Sequence, residues 1–188
     1  MERSDEEIAI ACGKSSLQEF DHLYTRYNRQ IYAFVSRRTS DRAVAEDLTS
    51  MIFLKALEHI RSFSPRKGSF RTWLYRIARN VLIDSYRSNT LRQTEDIETA
   101  WDLPAEQSPD QDLHAGLRDG KLHSTLAALK PLQREIVLLR IWEDLSYSEI
   151  AQITGKSEAS AKMLFSRTMK ELRTVLPPLS FLLLFLRS

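Results

Sequence analysis

Residues 70–87 read FRTWLYRIARNVLIDSYR, and this stretch decides the fold. Its apolar residues recur every three or four positions, which predicts one long amphipathic helix with Trp73 on the buried side and Tyr75 and Tyr86 beside the main apolar stripe. Between positions 63 and 92, seven basic residues and one acidic residue give a net charge of +6. A basic helix interleaved with aromatic residues favours a nucleic-acid partner.

Two further helices are predicted upstream of this stretch. Apolar residues step by three and four from 17 to 34, after a capping box that begins at Ser16. A second helix is predicted over about 41–61, and the sequence SPRKGS at 64–69 predicts a loop because Pro and Gly interrupt helical pairing. The three helices predict a first domain over residues 1–92.

The chain then changes character twice. Over residues 93–120 the periodicity fades, two prolines occur, and the charge between 94 and 120 is −7, which predicts a flexible acidic linker. Helical spacing resumes over 121–176 and predicts a second domain, in which Pro131 suits the first turn of a helix.

The second domain contains the signals of a helix-turn-helix. Ser146 with Glu149 three residues later predicts a capped short helix, and Gly155 predicts the sharp turn after it. Ser157 then caps a longer helix whose apolar residues fall on one side. A short helix, a glycine turn and a capped second helix predict a DNA-binding unit, although plain helix bundles use similar caps.

Composition restricts the function classes. Cys12 is the single cysteine and the four histidines stand apart, so no metal site, cofactor or catalytic cluster is predicted. The acidic N-terminus is unlike a signal peptide, and no apolar run approaches the roughly 20 residues that span a bilayer. The fold class expected is therefore all-α, with two small helical domains, no stable membrane insertion and a cytoplasmic location.

The end of the chain is unusually apolar. Residues 179–186 read LSFLLLFL within a tail at 177–188. Because an exposed stretch of this kind invites association, we expect it to fold back on the second domain or to dock a regulator. A disordered tail is the alternative.

Three segments of the chain resemble one protein family. The stretch at 70–87 closely resembles the DNA-melting and minus-ten-reading segment of extracytoplasmic-function (ECF) sigma factors. AEDLTSMIFLKAL at 45–57 looks like their core-polymerase-binding helix, and LSYSEIAQITGKSEASAKMLFSRTMKEL at 145–172 is similar to their minus-thirty-five-reading domain. The resemblance extends over most of residues 17–176.

The resemblance implies a transcription initiation factor that binds core RNA polymerase, directs it to promoters and assists DNA melting. It implies a region 2 domain of three to four helices, a region 4 helix-turn-helix domain, and an anti-sigma factor as a further partner. The residues implied in minus-ten recognition and melting are Ser64, Lys67, Ser69, Phe70, Arg71, Arg76, Arg79, Asn80 and Arg87. Those implied in minus-thirty-five contacts are Ser157, Ser160, Lys162, Ser166, Arg167 and Lys170. Those implied in core polymerase binding are Asp47, Leu48, Ser50, Met51 and Phe53.

The chain departs from the family pattern at two places. Ser50 and Met51 stand where most relatives have Gln-Glu, so a more apolar core contact is expected. Leu164 stands where relatives commonly have an arginine suited to bidentate guanine contacts, which leaves a thin set of base-reading residues.

Two other readings remain open from the residues themselves. A helix-turn-helix regulator that binds duplex DNA without polymerase explains 145–172 but gives 70–87 and 45–57 no role. A protein-interaction adaptor explains the apolar tail but not the charge layout. Catalysis by this chain alone is rejected, since no residue cluster for it exists in the sequence.

Overall fold

The computed structural model describes residues 3–14, 17–39, 41–90 and 120–185, and the regular elements in these ranges are helical. The chain divides into two compact units, Met1–Gln93 and Thr94–Ser188. The all-α prediction and the two-domain prediction are both confirmed. The predicted acidic linker lies outside the described residues, except for Gly120 at its end.

Four α-helices build the described part of the first unit. They are α1 (Asp5–Lys14), α2 (Phe20–Ser36), α3 (Arg42–His59) and α4 (Phe70–Thr90). Helix α1 was not predicted from the sequence. The predicted start of α2 was too early, because Leu17–Glu19 forms a short 3-10 turn, and the predicted cap Ser16 lies outside the described residues.

An aromatic cluster fills the core beneath the start of α4. The ring centroid of Phe70 lies 5.8 Å from that of Phe63, 5.7 Å from that of Trp73 and 5.5 Å from that of Tyr27. Trp73 is buried, which confirms its prediction as a core residue. Tyr75 is buried as well and packs edge-on against Phe34, so its placement beside the apolar stripe was wrong.

Helix α1 joins α2 to α4 through two acidic side chains in its first turn. Asp5 forms an ion pair with Arg26 and accepts a hydrogen bond from the Tyr27 hydroxyl at 2.5 Å. Glu6 accepts a hydrogen bond from the backbone N–H of Phe70 at 3.1 Å. Helix α1, which was not predicted from the sequence, therefore helps to fix where α4 begins.

Five helices make up the described part of the second unit. They are α5 (Gly120–Ala127), α6 (Pro131–Ile141), α7 (Tyr147–Thr154), α8 (Glu158–Val175) and α9 (Pro178–Leu183). The predicted position of Pro131 in the first turn of α6 is confirmed.

The helix-turn-helix consists of α7 and α8, and its predicted caps are confirmed. The Ser146 hydroxyl accepts from the Glu149 N–H, while the Glu149 carboxylate accepts from the Ser146 N–H at 2.8 Å. Gly155 ends α7 with φ +70°, a conformation that costs other residues free energy because of their Cβ atom. The Ser157 hydroxyl caps α8 by accepting from the Ser160 N–H at 3.2 Å.

The apolar tail folds back onto the second unit. Leu184 is buried in a core cluster with residues of α5, α6 and α8, among them Leu122, Val137 and Leu172. This confirms the expectation of docking for the described residues, while Leu186 lies outside them. Leu179 and Leu182 face outward and stay exposed.

Candidate nucleic-acid and polymerase interfaces

Helix α4 has a buried apolar face and an exposed polar face. Leu74, Ala78 and Val81 lie in the core, whereas Arg76 and Asn80 are exposed. Arg87 continues the exposed row, because positions three and four residues apart share one helix face.

One acidic side chain interrupts this row. Asp84 lies between Asn80 and Arg87, and its carboxylate is 3.8 Å from the Lys55 ammonium of α3. Pairing with Lys55 offsets the negative charge of Asp84 at this position. The exposed row therefore presents net positive charge to a partner.

The loop before α4 contains a 3-10 turn over Pro65–Lys67. Gly68 follows with φ 143°, in the region that favours glycine, and turns the chain into the helix. The Ser69 hydroxyl accepts from the Thr72 N–H at 3.2 Å and lies 2.9 Å from the Thr72 hydroxyl. Lys67 is exposed on this loop, and Ser64 and Ser69 are half-buried.

The structure sorts the nine residues predicted for minus-ten recognition and melting. Phe70 is 0% exposed and supports the loop from within the core, and its part in minus-ten recognition stays a prediction. Arg71 and Arg79 are half-buried and both have partners within the protein. The exposed members of the set are Lys67, Arg76, Asn80 and Arg87.

Some of the residues on α3 that were predicted to bind polymerase are exposed, and others are buried. Asp47 and Ser50 are exposed, as is Met51 at 45%. Leu48 and Phe53 are buried beneath this surface, and their part in polymerase binding stays a prediction. Phe53 packs against α2, with its ring centroid 4.8 Å from that of Tyr24 and 6.5 Å from that of Phe20.

One member of the exposed row on α3 was not predicted from the sequence. Leu54 is 56% exposed and lies seven residues after Asp47, in helical register with Ser50 and Met51. Counting by three and four from Asp47 would have found it. The row combines one carboxylate with two large apolar side chains, an arrangement suited to a partially apolar protein contact.

Helix α8 presents the predicted DNA-reading residues on its outer side. Lys162, Ser166, Arg167 and Lys170 are exposed, and Ser160 is half-buried. The predicted residue Ser157 is exposed, but its hydroxyl is engaged in capping α8. Leu164 is half-buried on the flank of the helix, and the exposed Met163 was not among the predicted contacts.

Two buried side chains of the first unit have raised pKa values. Burial raises the pKa of the Tyr27 hydroxyl above its usual 10.0, and the hydrogen bond to Asp5 raises it further. Burial also raises the pKa of the Cys12 thiol.

In the described part of the chain, no group of three or more His, Cys, Asp or Glu side chains is placed to hold a metal ion. None of the described helices has the length and apolarity to cross a membrane.

Both units match models of known protein families. Residues 23–92 match Sigma-70 region 2, and residues 119–172 match Sigma-70, region 4. The chain belongs to the sigma-70 family of RNA polymerase sigma factors. Its relatives place it in the ECF group of that family.

Two relatives and one solved structure illustrate the similarity. The ECF RNA polymerase sigma factor BldN of Streptomyces coelicolor is 35% identical over 161 residues, covering 84% of this chain and 60% of BldN. The RNA polymerase sigma factor YlaC of Bacillus subtilis is 32% identical over 160 residues, covering 81% of this chain and 89% of YlaC. The fold is similar to that of CnrH in complex with the cytosolic domain of CnrY, with a TM-score of 0.65 and 21% identity over 92% of this chain and 96% of that one.

Proposed function

We propose that this sigma factor binds core RNA polymerase through α3, opens promoter DNA with α4 and the preceding loop, and positions the complex with α8. The observation that carries the proposal is the two-sided character of α4. Its aromatic side chains form the core of the first unit, while Arg76, Asn80 and Arg87 form an exposed row behind an exposed lysine loop. Such a surface can hold phosphates and present a hydrogen-bonding amide to a base.

The core-polymerase contact is assigned to the exposed row of Asp47, Ser50, Met51 and Leu54. A carboxylate opposite a basic partner sets orientation and association rate, while the two apolar side chains supply burial. Asp47→Arg should weaken binding to core polymerase in a pull-down and in fluorescence anisotropy, without changing helicity. Asp21→Arg, the same charge change at an exposed site on α2, should bind normally.

The outcomes of this experiment separate the function from the site. If the wild-type chain fails to bind core polymerase, the sigma function itself is wrong. If wild type binds and Asp47→Arg binds equally well, the surface of α3 is wrongly assigned.

The DNA roles within α4 separate by chemistry. Arg76→Ala and Arg87→Ala should each lower the dependence of log K on log salt by about one unit, since each removes a phosphate contact. Asn80→Ala should leave holoenzyme binding to duplex unchanged but reduce the permanganate reactivity of opened promoter thymines. Gln30→Ala, at an exposed amide on α2, is the matched control for Asn80→Ala and should affect neither property.

The runner-up function, duplex binding without polymerase, leaves the exposed α3 row and the first unit without a role. We propose that the chain acts as a subunit of RNA polymerase, works in the cytoplasm with that enzyme, and has no catalytic activity of its own. An anti-sigma factor is the further partner proposed. Because Met51 and Leu54 would be covered in the holoenzyme, a protein inhibitor that covers them would compete with core polymerase for this chain.

A further inference from the structure

Met163 occupies the centre of the outward face of α8. The inward face is defined by Ala161, Thr168 and Leu172, each 0% exposed. At 3.6 residues per turn, Met163 lies about 200° around the helix from Ala161, opposite the core. Its side chain is 51% exposed.

The surroundings of Met163 are short or basic. Ala159 precedes it by one helical turn on the same face, and Lys162, Arg167 and Lys170 are exposed around it. A positively charged rim around an apolar centre matches DNA, because the lysine and arginine side chains can hold phosphates while the centre faces the groove.

Packing within the protein does not account for this position. Met169 on the same helix is partly buried against the core cluster of the second unit. Met163 lies six residues earlier and belongs to no such cluster in the described residues. Leu164, which replaces the family arginine, lies about 300° around from Ala161 and is half-buried, so it stands beside the packed face rather than at the centre of the outward one.

We propose that Met163, with Ala159 beside it, reads a thymine in the minus-thirty-five element through the C5-methyl group of that base. In the major groove the thymine methyl is the apolar feature of a base-pair edge, and apolar side chains recognise it by contact. An unbranched thioether adapts to such a contact more readily than a branched side chain. Recognition by α8 therefore rests on methyl burial at Met163, because the half-buried Leu164 stands where relatives have the arginine; this inference depends on the proposed minus-thirty-five role of α8.

The test removes the methyl group from the DNA and the thioether from the protein. Holoenzyme made with the full chain selects a promoter from duplexes randomised over the minus-thirty-five element, and each selected thymine is then replaced singly by deoxyuridine. For wild type, at least one replacement should weaken binding about fourfold, the equivalent of roughly 0.8 kcal/mol for one buried methyl-sized group. Met163→Ser should bind the thymine and deoxyuridine duplexes equally.

Two variants serve as controls. Met163→Leu keeps an apolar side chain and should retain the penalty for deoxyuridine. Val175→Ser changes another exposed apolar residue, 12 positions further along α8, and should behave as wild type.

Each outcome bears on a different claim. Insensitivity of wild type to every deoxyuridine replacement, or an unchanged penalty in Met163→Ser, overturns the methyl-reading proposal. If the holoenzyme selects no minus-thirty-five sequence at all, the proposed role of α8 is wrong.

Discussion

Replacing Glu6 by alanine should destabilise the start of α4, although Glu6 and Phe70, the first residue of α4, are 64 residues apart in sequence. The first turn of α4 contains no acidic residue of its own. Two of its first backbone N–H groups are satisfied by side chains, that of Thr72 by Ser69 and that of Phe70 by Glu6. Because the first four N–H groups of a helix lack partners within it, Glu6→Ala leaves the Phe70 N–H without its acceptor.

The size of the effect follows from the geometry. Glu6 is partly exposed and its carboxylate accepts from Phe70 N at 3.1 Å, an ordinary hydrogen-bond length. Loss of a helix cap costs about 1 kcal/mol, and the favourable interaction of a negative charge with the helix N-terminus adds about 0.3–1 kcal/mol. We expect a total of about 1–2 kcal/mol, which corresponds to roughly 5–30-fold in the opening equilibrium.

Hydrogen exchange followed by mass spectrometry measures this opening in the full chain. Amides of α4 should exchange faster in Glu6→Ala by that factor, while amides of α8 in the second unit provide an internal reference. Glu6→Gln keeps an acceptor oxygen without the charge and should be intermediate. Glu58→Ala, at an exposed carboxylate of α3, should have no effect. Unchanged exchange of α4 in Glu6→Ala would refute the capping role.

Three further predictions concern both units. Leu184→Ala should destabilise the second unit by about 2–5 kcal/mol, because Leu184 is buried in its core. Denaturant unfolding, followed by hydrogen exchange of α6 amides, measures this loss, and equal stability would mean that the tail does not stabilise the second unit. Gly155→Ala should lower the free energy of unfolding by about 1 kcal/mol through its positive φ alone, since no atom beyond the neighbouring residues lies within 4 Å of the added Cβ, and a thermal melt that matches wild type would contradict this. The pKa of Tyr27 in the folded chain is raised above the unfolded value of 10.0. The stability that its neutral hydroxyl contributes is therefore complete below about pH 10 and is lost as the pH rises above it. Tyr27→Phe should flatten the alkaline fall of the unfolding free energy measured in denaturant titrations.

Local signals in the sequence predicted most of the helices. The capping pair Ser146 and Glu149, the turn at Gly155 and the position of Pro131 each involve residues within one turn of each other, and all are confirmed. Helix α1 escaped prediction because its buried residues, Ile8, Ala9 and Cys12, form a short stripe with little apolar bulk.

The exposure of individual side chains was harder to predict from the sequence, because burial depends on neighbouring helices. Helix α4 packs against α1, α2 and α3, so its buried arc is wider than a single apolar stripe and includes Phe70 and Tyr75. The same holds for Phe53, which is enclosed by aromatic residues of α2. The Glu6–Phe70 hydrogen bond has no local sequence signal, since the tertiary fold alone brings its partners together.

Helix α4 is fastened near both ends. Glu6 caps its first residue, and near its other end the Tyr86 hydroxyl donates a hydrogen bond to the carbonyl of Arg38, just after α2. A surface held in this way loses little conformational entropy when a partner binds. On the proposed role of α4 in promoter opening, the structural rearrangement would fall on the DNA and not on the protein. The ease of unstacking each base step would then set how promoters differ in their rate of opening.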